Sequence, residues 1–370
     1  MQKILLVEPE FPIPVKSRNH SHFLPIGLLK IGSYHKELGD KVKLVRGLKR
    51  CGFTPDRILI TSLFTYWSKR VHEASAFYHR AYPTSQIEIG GIYASLMPRH
   101  CKRNSPFAKI SKGLYRRGAA ENVTIDFSLL PEPIDYQIVH TSRGCVRRCA
   151  FCGTWRIEPQ FTYKSSILHE IQKRILVFYD NNLLANPNID RILKELAGYR
   201  TRKGIPLRCE SQSGFDLGLL TEERAWLLKQ AHFANPRIAW DGAYSQWPKV
   251  RKAVNLLKKV GYGYKEIYVF MIYNHDLSYR EMRKKLDACR RWNVRVIDCR
   301  YRPLDCTEDD YRPYKWQGQG DYHINRGWTD ETVHKFRSSV RRQNIAILLQ
   351  LPNRRYIAGC ESRKVLCSGL

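Results

Sequence analysis

The chain has 370 residues, more than one average domain needs and enough for two. Its 43% hydrophobic content excludes wholesale disorder, and no apolar run approaches the roughly 18 residues needed to cross a bilayer. Lys and Arg outnumber Asp and Glu by 63 to 34, and the resulting charge of +29 is scattered rather than blocked. Such a surface suits either an anionic partner (tRNA, an anionic metabolite) or simple solvation of a basic protein. The eleven cysteines are an odd number, and Met1-Gln2-Lys3 runs straight into a strand-like segment with no secretory leader. They read as metal ligands, catalytic thiols or small buried side chains of a cytoplasmic protein.

In the first half, short apolar runs at residues 4–7, 42–45, 58–61 and 87–89 read as strands. Helical patterns lie at 25–38, closed by Gly39, and at 69–82. This alternation predicts a Rossmann-like parallel sheet wound on both faces, with its ligand beyond the carboxyl ends of the strands. The boundary is placed in Leu130-Pro131-Glu132-Pro133, giving a domain at 1–130. The second half repeats one strand–helix unit six times. Strands are expected at 136–140, 175–179, 206–210, 237–240, 267–272 and 294–299, and helices at 165–173, 187–199, 221–231, 248–259 and 279–292. Gly261 suits a left-handed cap, and Ser278 with Glu281 a capping box. Six units are too few to close an eight-stranded barrel, so an open partial (β/α)6 barrel over 131–305 is expected, with its active site at the carboxyl ends of the strands. The extension at 306–370 holds one further helix, at 329–343, capped by Thr329 and suited to covering the open side.

The first barrel strand leads into His140-Thr141-Ser142-Arg143-Gly144-Cys145-Val146-Arg147-Arg148-Cys149-Ala150-Phe151-Cys152. Three thiolates spaced C-x₃-C-x₂-C can each bind a separate iron of one cubane cluster and leave the fourth iron open. A zinc site would need a fourth ligand that the loop does not supply. Gly144 allows a tight turn. The arginines either offset cluster charge or face solvent.

The loop resembles the cluster loop of the radical S-adenosylmethionine (SAM) superfamily, Phe151 matching the aromatic before the last cysteine. The resemblance implies a [4Fe–4S] cluster on Cys145, Cys149 and Cys152, SAM as ligand to the open iron, and an external reducing electron donor. It implies reductive cleavage of SAM to a 5′-deoxyadenosyl radical. It places Phe151 near adenine, Asp180, with help from Asn182, near the SAM ammonium, Gln212 and Ser213 near its carboxylate or ribose, and Asp241 near the ribose hydroxyls. Asp180 and Asp241 also suit turn and helix caps, and His275 an ordinary loop histidine. Cys299, Cys306, Cys360 and Cys367 would suffice for a second cluster, buried or idle thiols being the alternative.

Pro25-Ile26-Gly27-Leu28-Leu29-Lys30-Ile31-Gly32 and Ile89-Gly90-Gly91-Ile92 resemble the cobalamin-binding domain that precedes many radical SAM modules. The Asp-x-His-x-x-Gly signature of a cobalt-ligating histidine is absent: Ser33 stands where Asp would be, and His35 is misplaced before Gly39. The domain therefore either binds cobalamin without a protein ligand to cobalt or serves as a scaffold. The implied activity is that of a cobalamin-dependent methyltransferase, with a cobalamin-independent oxidoreductase or RNA-modifying enzyme as alternatives. From a different class, a noncatalytic Fe–S RNA-binding protein would use Tyr311-Arg312-Pro313-Tyr314-Lys315-Trp316 to stack bases. The same side chains suit packing over the open barrel edge.

Overall fold

The structure, a computed structural model, describes residues 1–12 and 24–350. By compactness the chain forms two units: one of residues 1–213, 230–232 and 302–323, the other of the remainder.

The first unit opens with strand β1 (Lys3–Glu8), helix α1 (Ile26–Glu37), β2 (Lys41–Arg46), β3 (Arg57–Ser62), α2 (Ser68–Ala81) and β4 (Gln86–Gly91). It continues with α3 (Ile92–Leu96), α4 (Pro98–Asn104) and β5 (Lys109–Ile110). All pairings are parallel and the order is β2-β1-β3-β4-β5. β1 is apolar at consecutive positions because both its faces are covered. Leu5 and Val7 join Ile58, Ile60 and the α2 residues Val71, Ala74 and Tyr78; Ile4 and Leu6 join Leu28 and Leu29 of α1. Each fully buried Leu or Ile stabilises by about 1.5–3 kcal/mol. The chain order reverses between β1 and β3, and this switch point is where an open α/β sheet leaves a crevice. Gly39, at φ 80°, ends α1 as the sequence predicts.

The second core also contains Tyr136, Ile138 and Val177, which lie beyond the predicted boundary at 130. They belong to β6 (Tyr136–Val139) and β9 (Ile175–Phe178). Between these strands stand β7 (Ser142–Arg143), α5 (Thr154–Ile157) and β8 (Thr162–Tyr163); α6 (Ile189–Gly198) and β10 (Arg208–Ser211) follow. β10, β9 and β6 form a parallel three-stranded sheet. The helix expected at 165–173 does not form; only a 3₁₀ turn occupies Leu168–Glu170. The buried side chain of Gln137 takes over the backbone there. Its Oε1 accepts from Gln172 N and Lys173 N at 2.6 and 2.7 Å, and its Nε2 donates to Glu170 O. Groups that a helix would have paired internally are bonded to β6 instead.

Most of the second unit is α7 (Glu222–Gln230), β11 (Arg237–Ala239), α8 (Trp247–Lys259), β12 (Tyr268–Tyr273), α9 (Tyr279–Arg291), β13 (Arg295–Arg300) and α10 (Asp330–Leu348). Its sheet is parallel in the order β11-β12-β13. Gly261 closes α8 at φ 90°. Ser278 caps α9, but Glu281 leaves the expected box and accepts from Tyr244 N instead. The extra helix α10 starts at a full capping box on Thr329. From it Asn344 accepts from Val296 N and donates to Val296 O, covering the free edge of β13 as another strand would. No described helix is long and apolar enough to cross a membrane.

Candidate active site

β6 ends at His140, and the three cysteines lie in a loop closed by the β7–β8 hairpin, where Ser142 pairs with Tyr163 and Arg143 with Thr162. Gly144 has φ 73°, and a Cβ there would stand 2.2 Å from the carbonyl oxygen of Gln160. Both conditions restrict the position to glycine. Glu158 seals the neck, accepting from Gly144 N at 2.8 Å and pairing with Arg143. Asn181 spans the loop: it donates to Gly144 O at 3.2 Å and accepts from Thr154 Oγ1 at 3.0 Å. Trp155 Nε1 donates to Cys149 O.

The three cysteines are half-buried, while Val146, Arg147 and Arg148 are exposed. Cys145 Sγ accepts from Arg147 N at 3.4 Å and Cys152 Sγ from Thr154 N at 3.5 Å, contacts that also suit thiolates. Among the described residues no three His, Cys, Asp or Glu side chains converge to hold a single metal ion. A cubane differs from zinc here, because each thiolate then binds its own iron.

Asp180, expected near the SAM ammonium, is only 1% exposed. It accepts from Thr141 N and Ser142 N at 3.0 and 2.7 Å, and from both their hydroxyls at 2.6 and 2.7 Å. Burial pushes its carboxyl up, and these four donors partly offset that. Asp180 thus fastens the root of the cysteine loop to β9 and is not presented to a ligand. The Asx turn belongs to Asn186, whose Oδ1 accepts from Asn188 N at 2.8 Å.

Phe151 is half-buried within the loop, beside Cys152. Gln212 and Ser213 follow β10; Gln212 N bonds Phe178 O across to β9, and Ser213 bonds the hydroxyl of Ser211. Asp241 follows β11 in the second unit, on a turn held from beneath by Lys285. This buried ammonium donates to Trp240 O at 2.7 Å and Gly242 O at 3.0 Å and lies 5.0 Å from the Trp240 ring. Burial lowers Lys285 to about 8, with Asp241, Cys289 and Glu281 opposing the shift. Composition and spacing gave no signal for Lys285, Glu158 or Asn181, whose roles depend on tertiary contacts.

The remaining expectations divide. His35 is engaged at both nitrogens, by Asp40 at 2.7 Å and Tyr115 at 2.9 Å, so its role is to pack α1. His275 lies against Tyr301 and Asp276. Cys299 lies within β13 and Cys306 in the following loop; Cys360 and Cys367 lie outside the described residues. Tyr314 and Trp316 are 86% and 77% exposed, which overturns their packing over a barrel edge. Their segment, 302–323, carries five acidic residues (305, 308, 309, 310, 321) against three basic (302, 312, 315), the reverse of the chain as a whole. That balance disfavours a phosphate-tracking groove.

Two cavities share the walls Leu114, Glu121, Arg143, Ile157 and Glu158. One, about 180 Å³, lies at the carboxyl ends of β3 and β4 and is bounded by Gly27, Lys30, Gly90 and Gly91. The other, about 550 Å³, is bounded by His140, Asn122, Gln160 and the β7–β8 hairpin. A Cβ on Gly27 would meet nothing within 4 Å, so backbone is open to the crevice there. Gly91 has another reason: its φ is 98°, and a Cβ would stand 2.2 Å from Ser62 O. Lys30 donates to the Glu121 carboxylate at 3.0 Å and its carbonyl at 2.9 Å. Burial works to raise the Glu121 carboxyl, but Arg143 and Lys30 outweigh it and hold the pKa below the usual range.

A Rossmann-like sheet followed by six parallel β/α strands, the first emptying into a three-cysteine loop, is the fold of the radical SAM superfamily with an N-terminal cobalamin-binding-like domain. Among solved structures, the chain is similar to the radical SAM methyltransferase TsrM from Kitasatospora setae with cobalamin and a [4Fe–4S] cluster bound. The TM-score is 0.63 at 14% identity, covering 82% of this chain and 77% of TsrM. The same enzyme with tryptophan substrate and a SAM analogue matches at 0.62 and 14% identity, covering 83% and 75%. No protein-family model and no curated protein sequence matches the chain.

Proposed function

We propose that the chain is a radical SAM enzyme that binds a [4Fe–4S] cluster through Cys145, Cys149 and Cys152 and acts as a cobalamin-dependent methyltransferase. The observation that carries this is a three-thiol loop anchored at both ends in the radical SAM fold. Bound there, the cluster would supply the open iron position and the electron for reductive cleavage of SAM to a 5′-deoxyadenosyl radical, and cobalamin would carry the methyl group. The protein's contribution is positional. Asp180 fixes where the loop leaves β6, Asn181 sets its width, and Glu158 with Gly144 closes its neck, so the thiols are held before any iron arrives. Phe151 is offered to the adenine, Gln212 and Ser213 to the carboxylate or ribose, and Asp241 to the ribose hydroxyls. The +29 charge supports an anionic substrate, tRNA or an anionic metabolite, with a one-electron donor as the second partner.

Anaerobic reconstitution should give about four irons and four sulfides per chain, and reduced protein should convert SAM to 5′-deoxyadenosine. Serine at any of the three cysteines should abolish both. Protein that takes up no iron, or a serine variant that still cleaves SAM, refutes the reading. A gel shift with tRNA, weakening steeply with salt, tests the substrate class.

A further inference from the structure

We infer that the cavity beside the cysteine loop is a subsite for uncharged amide groups, in which His140 and Arg143 bind the carboxamide rim of a corrinoid seated in the adjoining crevice. This rests on the cobalamin part of the proposed function and deepens it.

Two polar atoms lining the cavity are buried and have no hydrogen-bond partner: His140 Nδ1 and Arg143 Nε. The His140 residue is 7% exposed. Leaving such an atom unpaired costs about 1–3 kcal/mol, so both are sites where a ligand can restore a bond. Arg143 Nε–H is a donor, and the nearest carboxylate oxygen, on Glu121, is 3.7 Å away, beyond hydrogen-bond range.

The charges define the chemistry. Arg143 and Lys164 on the wall are matched by Glu121 and Glu158, so the cavity has no excess charge to neutralise an ionic ligand. Burial, with Arg143, Lys30 and Lys164 nearby, keeps His140 neutral, with one nitrogen a donor and the other an acceptor. The other polar walls include the amides Asn122 and Gln160 and the hydroxyls of Thr162 and Tyr163. A primary carboxamide offers an oxygen to Arg143 and an N–H₂ to an acceptor, whereas a carboxylate would add an unmatched charge. The shared wall with the β3–β4 crevice requires one ligand large enough to reach both spaces, with several amides at its edge. A corrin meets that description.

The test is equilibrium binding by absorbance, with full-length protein and two corrinoids that lack the nucleotide tail. In cobinamide the rim groups are amides; in cobyrinic acid they are free carboxylates. Cobinamide should bind saturably and at least about tenfold more tightly than cobyrinic acid, a difference of one lost bond. His140→Phe should weaken cobinamide by about tenfold while leaving reconstituted iron content at the wild-type value. Equal binding of the two corrinoids, or no saturable cobinamide binding to the wild type, overturns the inference; iron uptake, measured on the same samples, reports separately on the cluster. The wild-type comparison decides even if the His140 variant fails to fold.

Discussion

Asp180→Ala should be the most damaging single substitution outside the cysteines, and its cost follows from the acceptor it removes. Four donors converge on Oδ1: the backbone N–H groups of Thr141 and Ser142 and their two hydroxyls. The hydroxyls can rotate to other acceptors. The two N–H groups cannot, and an orphaned buried donor costs about 1–3 kcal/mol, or about 4 kcal/mol for the pair. Relief of the buried carboxylate returns part of this, leaving about 3 kcal/mol. Asp180→Asn makes the argument specific. Its carbonyl keeps the Oδ1 position, and only the 3.1 Å contact of Thr141 N with Oδ2 turns repulsive, so it should cost about 1 kcal/mol. Urea denaturation of the three apoproteins gives the stabilities, and iron content after reconstitution reports the loop. Alanine should lose most of the iron and asparagine should keep it. Equal stability of the alanine variant and wild type, or indistinguishable alanine and asparagine variants, would refute the fastening role.

Gly144→Ala combines a left-handed backbone, worth about 1–2 kcal/mol, with a 2.2 Å overlap on Gln160 O. It should open the β7–β8 hairpin and reduce iron uptake while leaving the far-ultraviolet dichroism of the fold unchanged; full iron content would contradict the strain. Gly91→Ala meets Ser62 O at 2.2 Å and Ser62 N at 2.9 Å, and should destabilise the N-terminal sheet by about 2–4 kcal/mol in urea titrations. Lys285 predicts a pH dependence. Its folded pKa, about 8, lies below the unfolded 10.5, so the unfolded chain binds more protons between those values and stability rises with pH across that window. The gain is about 3 kcal/mol in all, and it should vanish from the difference between wild type and Lys285→Met, measured by denaturation at pH 7.5 and 10.

The strands were legible because consecutive or alternating apolar residues have few other solutions in a chain this length. All ten predicted strands form within two residues of their expected ends, from β1 at Lys3–Glu8 to β13 at Arg295–Arg300. Helix 165–173 failed because helical periodicity cannot register a competitor such as the Gln137 side chain, which lies some thirty residues earlier in sequence. The boundary at 130 marks a turn in composition, but Tyr136 and Ile138 bury themselves against Ile4 and Leu6, so the core is continuous where the punctuation is not.

Asp180 shows the same limit at the candidate site. An acidic residue after the second barrel strand suits a ligand ammonium and suits equally the backbone donors of the preceding strand end, and only three-dimensional placement separates the two. Both choices satisfy the carboxylate, but a carboxyl 1% exposed is committed before any ligand arrives. The polar atoms left without partners, at His140 and Arg143, are informative for the opposite reason. Neither drew a ligand role from the sequence, because an unsatisfied donor is a property of the space around a side chain. If that space is built for a ligand, binding should recover the cost of leaving those atoms unpaired, and the recovery should depend on the ligand's hydrogen-bonding rim rather than on its charge.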